Sequence, residues 1–479
     1  ACAEAPPSGL LPTTPPPTSP SPSPFAVWSR QPTKWRPAAP PRHPIDWKNP
    51  EYYDEEKLNA ELERVFDICH GCRRCLSLCH SFPTLFDLID DSETMEVDGV
   101  AKEDYVKVVD ECYLCDMCYM AKCPYVPPHS FNVDFPHLML QAKAVKHQKD
   151  GIPTRDKILS DTDGLGKLAG IPVITETINT VNDWKPVRKA VQSVLGVHEN
   201  AWLPEFAPKK LRQMIKQSKA VDVKDGGRTP GKVAIFATCY INYNEPGIGT
   251  DMIKVLEHNN IPWVVAEKEV CCGMPKLEQG DLEAVDRLKR VNIPHLAKLA
   301  REGYAILAGV PSCTLMFKQE LPLMYPDDED VQTVKAAFWD PFDYFISRNK
   351  DGLMSTEFKQ GLGHVSYQAP CHGRVQNIGK KTEEFLKLIP DTEVKTTERC
   401  SGHAGTYGVK QEFHETSMKI GKPVFRAMND QNPDYISSDC PLGGHHIAQG
   451  IRENHGNEPA LAHPLSLVAK AYGLNEESL

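Results

Sequence analysis

Residues 69–79 read CHGCRRCLSLC and residues 112–124 read CYLCDMCYMAKCP. Each stretch sets three cysteines at two-residue intervals and a fourth slightly further on: Cys69, Cys72, Cys75 and Cys79, then Cys112, Cys115, Cys118 and Cys123. Three thiolates so spaced wrap three corners of a [4Fe–4S] cube from one loop, and the fourth cysteine of each group caps the other cube. The pattern assigns one cluster to Cys69, Cys72, Cys75 and Cys123, and the other to Cys112, Cys115, Cys118 and Cys79. Structural zinc sites use separated C-x2-C pairs, so tandem triplets argue against zinc. They also argue against disulfides, because such clusters need reduced thiols. Two details depart from the usual spacing. His80, not proline, follows Cys79, and one extra residue precedes Cys123.

The segments between the groups read as helical. Residues 56–67 place Leu58, Leu62, Val65 and Phe66 on one face. The stretches PTLFDLI and DYVKVVDE follow in the interval 81–111. Residues 46–150 are thus expected to form a helical two-cluster ferredoxin-like domain. Upstream, residues 1–45 are Pro/Ser/Thr-rich, as disordered or polyproline chain is. They carry Arg30, Lys34, Arg36 and Arg42 against Glu4. That makes the stretch +3 and, from a total of −10, leaves −13 for the rest. The leader reads equally as a targeting remnant or a solvated tail, and Cys2 within it is expected to have no metal role. An acidic body excludes sequence-independent nucleic-acid binding, and no stretch is long and apolar enough to be a transmembrane helix.

Downstream, residues 151–230 contain no cysteine and read as a connecting region. Beyond it the chain repeats. In residues 231–350, the β runs KVAIFATC, IPWVVAE and YAILAGV lead to Cys239, Cys271-Cys272-Gly273 and Cys313. In residues 351–479, HVSYQAPC, TEVKTT and DYISSDC lead to Cys371, Cys400-Ser401-Gly402 and Cys440. The cysteine spacings are 32 and 42 residues in the first copy and 29 and 40 in the second. Strands alternating with helices imply parallel sheets with crossover helices, with the cysteines gathered at the strand C-termini. The fold class is therefore α+β or α/β multidomain: a helical two-cluster domain followed by two α/β repeats.

With CHGCRRCLSLC, CYLCDMCYMAKCP, VCCGMP, PSCTLM, CSGHAGTYG and SDCPLG, the chain resembles a family that includes the catalytic subunit of heterodisulfide reductase. The iron–sulfur subunits of glycolate oxidase and of anaerobic glycerol-3-phosphate dehydrogenase share these motifs. The resemblance covers about residues 60–470 and implies two [4Fe–4S] clusters in the ferredoxin-like domain. It also implies one further iron–sulfur cluster on Cys239, Cys271, Cys272 and Cys313 of the first CCG-type repeat. In the full motif each repeat ends C-x2-C, whereas here Met316 and Gly443 stand at the last position and Ser401 replaces one cysteine of the second pair. The second repeat, with Cys371, Cys400 and Cys440, is degenerate. It needs a non-cysteine ligand or stays empty. His372, His403, His445 and His446 lie near it in sequence. The chain also resembles a subgroup encoded beside rubrerythrin-like proteins.

No dinucleotide fingerprint, P-loop or hydrolase motif is present. The Gly-rich stretches at 164–170 and 247–252 have the wrong spacing and read as turns. Single-electron cofactors without a flavin domain imply a borrowed partner. The leading expectation is an electron-transfer subunit that takes electrons from a flavoprotein or other redox donor. It would pass them to a quinone or a protein acceptor, such as a rubrerythrin-like one. A self-contained disulfide or persulfide reductase and a non-catalytic iron–sulfur scaffold are the alternatives, so whether the chain is itself an enzyme stays open. Redox logic places it in a cytoplasm, with peripheral inner-membrane contact as an option, or in a mitochondrial matrix if the leader is a targeting remnant.

Overall fold

The structure is a computed structural model and describes residues 39–169, 172–182, 184–215 and 227–474. Contacts divide the chain between Arg36 and Pro37, and everything described lies in the second unit. The leader expected at residues 1–45 falls largely outside the described residues, as do Cys2, Arg30, Lys34 and Arg36.

The cysteine triplets hang on a small helical core. The helix Glu55–Cys72 starts where the Asp54 side chain accepts the N–H groups of Glu56 and Lys57, with Glu55 and Glu56 in the positively polarised first turn. Its buried residues are Leu58, Leu62, Val65 and Phe66. Against them pack the helices Ser81–Asp90, Tyr105–Asp110 and Phe135–Asp150. Phe66 meets Tyr105 edge-on at 5.1 Å, and Phe82 meets Phe135 at 4.7 Å. Full burial of such side chains stabilises by roughly 1.5–3 kcal/mol each.

The second half holds two sheets. Strands β1 (Lys232–Ile235), β2 (Trp263–Val265), β3 (Tyr304–Leu307) and β4 (Phe338–Trp339) run in the order β2-β1-β3-β4. Strands β5 (Gly363–Gln368), β6 (Thr392–Thr397) and β7 (Tyr435–Ser438) run in the order β6-β5-β7. All pairings are parallel, and the register includes Val233↔Trp263, Val233↔Ala305 and Val365↔Val394. Val233, Ala234 and Ile235 are fully buried, as befits a central strand covered on both faces. The repeat is thus structural: β2-β1-β3 and β6-β5-β7 have one topology, and β4 is an addition to the first copy.

Three features differ from the sequence reading. Residues 42–47, grouped with the leader or at its edge, are packed into the body. Arg42, Ile45 and Trp47 are held there, and Ile45 N donates to Leu323 O at 2.8 Å. Composition averages over a proline-rich segment, and a few anchoring residues do not change the average. The Gly-rich stretches expected as turns lie mostly in helices, Thr162–Ala169 and Pro246–His258. Gly166 is there because a Cβ would fall 2.3 Å from the Tyr243 ring. The connecting region is mostly helical, with Thr154–Ser160, Thr162–Ala169, Pro172–Asn182 and Lys185–Leu195. Among the described residues no helix is long and apolar enough to cross a membrane.

Candidate iron–sulfur centre and cavity

The triplet loops turn on left-handed residues. The residue after the middle cysteine has positive φ in both, Arg73 at 51° and Asp116 at 61°. Residues other than glycine adopt this conformation rarely, and here it turns the chain between the middle and last cysteine of each triplet. Asp116 is fixed in this conformation from outside. Arg42 donates to both its oxygens, at 2.5 and 3.1 Å, and Gln319 Nε2 donates at 2.7 Å. The extra residue before Cys123 is absorbed by a π-helical turn, Cys118–Lys122, in which Cys123 N donates to Cys118 O at 2.8 Å.

The structure gathers the eight thiols into two groups. Burial raises the Cys69 thiol, and Cys75, Cys123 and Cys72 reinforce the shift. Cys75 is pushed up to about 12 by burial and then by Cys123 and Cys72. Burial raises Cys79 most, followed by Cys115 and Cys112. For Cys118 burial comes first, then Cys115, Cys112 and Cys79. Cys123 therefore stands with the first triplet and Cys79 with the second. Bare thiols packed this way resist ionisation, and a polycationic cluster is what would hold them as thiolates. Among the described residues no three Cys, His, Asp or Glu side chains converge closely enough for a single metal ion. A cube carries its ligands at separate corners, so the donor set suits a cluster better than a lone zinc ion.

The repeat cysteines meet around one cavity of about 390 Å³. Cys239, Cys271, Cys272 and Cys313 line it from the first copy, and Cys371, Cys400 and Cys440 from the second. Cys115 of the second triplet lines it too. The glycine that follows Cys271-Cys272 in the first copy and Cys400-Ser401 in the second has positive φ, Gly273 at 101° and Gly402 at 89°. That conformation suits glycine and explains why the motif ends in it. In the first copy the Cys271 thiol is driven well below its ordinary range by hydrogen bonds from Cys239 and Cys272, while Cys272 is raised by Cys271 and Cys313. The Cys271 N–H donates to Asp163 Oδ2 at 2.6 Å, and Asn292 Nδ2 donates to Cys271 O at 3.1 Å. Met316, at the missing fifth position, is fully buried, with its methyl 3.5 Å from where a Gly273 Cβ would lie.

The second copy faces the second triplet. Hydrogen bonding with Cys115 and Cys400 raises the Cys371 thiol. The Tyr113 hydroxyl lies 3.3 Å from Cys400 Sγ. Cys400 is lowered to about 6, first by Cys371 and further by Tyr113. Cys440 Sγ accepts from Gly443 N at 3.4 Å. A Cβ on Gly443 would lie 3.4 Å from Ser401 Oγ, so the positions that lack cysteine are neighbours. Of the four histidines, three are engaged. His372 Nδ1 pairs with Ser312 Oγ at 2.8 Å, His445 Nε2 with Glu245 Oε1 at 2.6 Å, and His446 Nε2 with Ser417 Oγ at 3.3 Å. His403 also lines the cavity, and its Nε2 is buried without a hydrogen-bond partner.

Three wall features carried no sequence signal. Leu159, Leu165, Ile178, Leu203 and Phe206 of the connecting region form an apolar side of the cavity, and apolar residues lining a cavity look like core residues in sequence. Tyr113 sits inside a cysteine triplet, where spacing draws attention to the thiols alone. Glu278 follows the short helix Met274–Leu277, and it too lines the cavity.

A cysteine-rich domain family matches residues 233–318 and 365–448. The chain is 26% identical over 342 residues to an anaerobic glycerol-3-phosphate dehydrogenase subunit of Escherichia coli, covering 70% of this chain and 81% of that one. It is 30% identical over 223 residues to an uncharacterized iron–sulfur protein of Methanocaldococcus jannaschii, covering 46% and 42%. It is 25% identical over 282 residues to a fumarate reductase (CoM/CoB) subunit of Methanothermobacter marburgensis, covering 56% and 54%. With its two cysteine-rich domain matches, the chain is similar to subunits of these oxidoreductases and to an iron–sulfur protein.

Proposed function

We propose that the chain is an electron-transfer subunit that receives electrons from a flavoprotein or other redox partner and delivers them to a small apolar acceptor in the cysteine-lined cavity. The acceptor class that fits the apolar walls is a quinone. The observation carrying this reading is the shared cavity, on which both repeats and Cys115 of the second triplet open. Two [4Fe–4S] clusters on Cys69, Cys72, Cys75 and Cys123 and on Cys112, Cys115, Cys118 and Cys79 would supply one-electron transfer, with a further cluster on Cys239, Cys271, Cys272 and Cys313. Asp163 and Asn292 hold the Cys271-Cys272-Gly273 turn in place. Tyr113 ties the second triplet to Cys400. The walls from the connecting region keep water from the acceptor.

The test is anaerobic oxidation of the reduced full chain by a short-chain quinone and, separately, by a small disulfide. The proposal expects the quinone to be reduced. Reduction of the disulfide alone would move the chain to the self-contained reductase reading.

A further inference from the structure

Quinone reduction consumes protons as well as electrons, and iron–sulfur clusters carry only the latter. Glu278 is the only carboxylate lining the apolar cavity among the described residues, and no lysine or arginine lines it. Glu278 also lines a second pocket of about 210 Å³, whose lining includes Lys143, Lys146, Arg155, Asp156 and Lys410. The residue therefore stands in the wall between the cysteine-lined cavity and a charged vestibule. Its carboxylate rests on Gly405, where a Cβ would lie 2.3 Å from Glu278 Oε2.

The nearby cations are engaged elsewhere. Lys143 Nζ donates to Cys112 O at 2.5 Å and to the Glu278 backbone carbonyl at 3.3 Å. Lys410 Nζ pairs with Asp156 at 3.1 Å. No hydrogen bond or ion pair to the Glu278 carboxylate is found among the described residues. Resting on the quinone reading above, we propose that Glu278 is the proton donor to the acceptor, reloaded from solvent through the vestibule.

For each acceptor, two electrons arrive one at a time from the upstream redox donor. The Glu278 O–H bond breaks as an O–H bond forms on the reduced quinone oxygen, leaving the carboxylate. A proton relayed from bulk solvent through vestibule water restores the carboxyl, a second transfer to the other quinone oxygen completes the hydroquinone, and a second proton from solvent returns Glu278 to its starting state. The charge environment supports a proton held near neutrality. Burial raises the carboxyl to about 7 against the opposing pull of Lys143 and Lys410, with Cys271 adding slightly to the rise. Of the other charged groups lining the vestibule, Lys146 pairs with Asp110 and Arg155 with Asp156 and Glu412, while His147 reaches Asp281 outside it.

The experiment uses the full chain with its clusters, photochemically reduced without air. It is mixed with a short-chain quinone or with ferricyanide, which takes electrons and no protons. Glu278→Gln is expected to slow the quinone reaction by about 100-fold or more, the scale of lost general-acid help, and to abolish its solvent isotope effect. Glu278→Asp should recover part of the rate. Iron content and ferricyanide oxidation should match the wild type. An infrared carboxyl band titrating through neutral pH should vanish in Glu278→Gln. Equal losses with both oxidants, or an unchanged quinone rate, would overturn the assignment. If wild-type chain fails to reduce the quinone, the cavity reading falls, and absence of the infrared band would then overturn the Glu278 role as well.

Discussion

Arg42→Met removes a cation that holds the second triplet loop from outside. The guanidinium is 7% exposed and donates to Asp134 at 2.8 and 2.9 Å as well as to Asp116, with Glu320 at 4.0 Å. Asp116 and Glu320 are 4% and 6% exposed, so neither charge can turn to water. Removing one partner of such a buried set costs about 3–5 kcal/mol, because the remaining charges are left uncompensated. Gln319 still donates to Asp116, and His137 still reaches Asp134 and Glu320 at 3.4 and 3.2 Å. These favour the low end, about 3 kcal/mol, or roughly two powers of ten in the folded ratio. Asp116 also turns the chain after Cys115. The variant should therefore lose the spectroscopic signal of the second cluster before that of the first. Arg42→Lys keeps the charge but cannot fork between two carboxylates, and should fall between the two. The assay is anaerobic thermal unfolding followed by fluorescence, with electron paramagnetic resonance of the reduced chain. A variant within about 1 kcal/mol of wild type, judged against the few-tenths scale of surface changes, and with both signals intact would refute the reasoning.

Gly402→Ala forces a side chain at φ 89° to within 2.2 Å of Ser417 O. It should cost at least about 1–3 kcal/mol, whereas Gly247→Ala, with nothing within 4 Å, should leave the melting temperature nearly unchanged. Leu165→Trp fills the cavity wall and should slow quinone oxidation of the reduced chain without lowering its iron content. Glu278 supplies a pH signature in stability. Its folded pKa of about 7 lies above the ordinary 4.5, so the wild type loses stability as pH rises from 4.5 through about 7. Glu278→Gln should lack that loss, and melts at acid and alkaline pH should show its advantage growing with pH.

Much of the candidate site was legible because the cysteine spacing that points to it is local. The two triplets lie within short loops, and each repeat cysteine follows a β run that became a strand, as with Cys371 after β5 and Cys440 after β7. The helical face of Leu58, Leu62, Val65 and Phe66 was likewise readable from its period. What was not legible depends on partners far along the chain. Arg42 means nothing until Asp116, Asp134 and Glu320 close around it. Leu165 and Ile178 look like ordinary core residues until the two repeats leave a cavity beside them. The choice among four histidines depended on which nitrogens found partners, and only the fold leaves His403 Nε2 without one.

The most direct measurement is iron and acid-labile sulfide on anaerobically prepared chain, repeated on Cys271→Ala. The account predicts about 12 iron atoms per chain, from three four-iron clusters, and about 8 in the variant with both triplet signals retained. A colourless preparation holding only zinc, or an iron content that Cys271→Ala leaves unchanged, would contradict it.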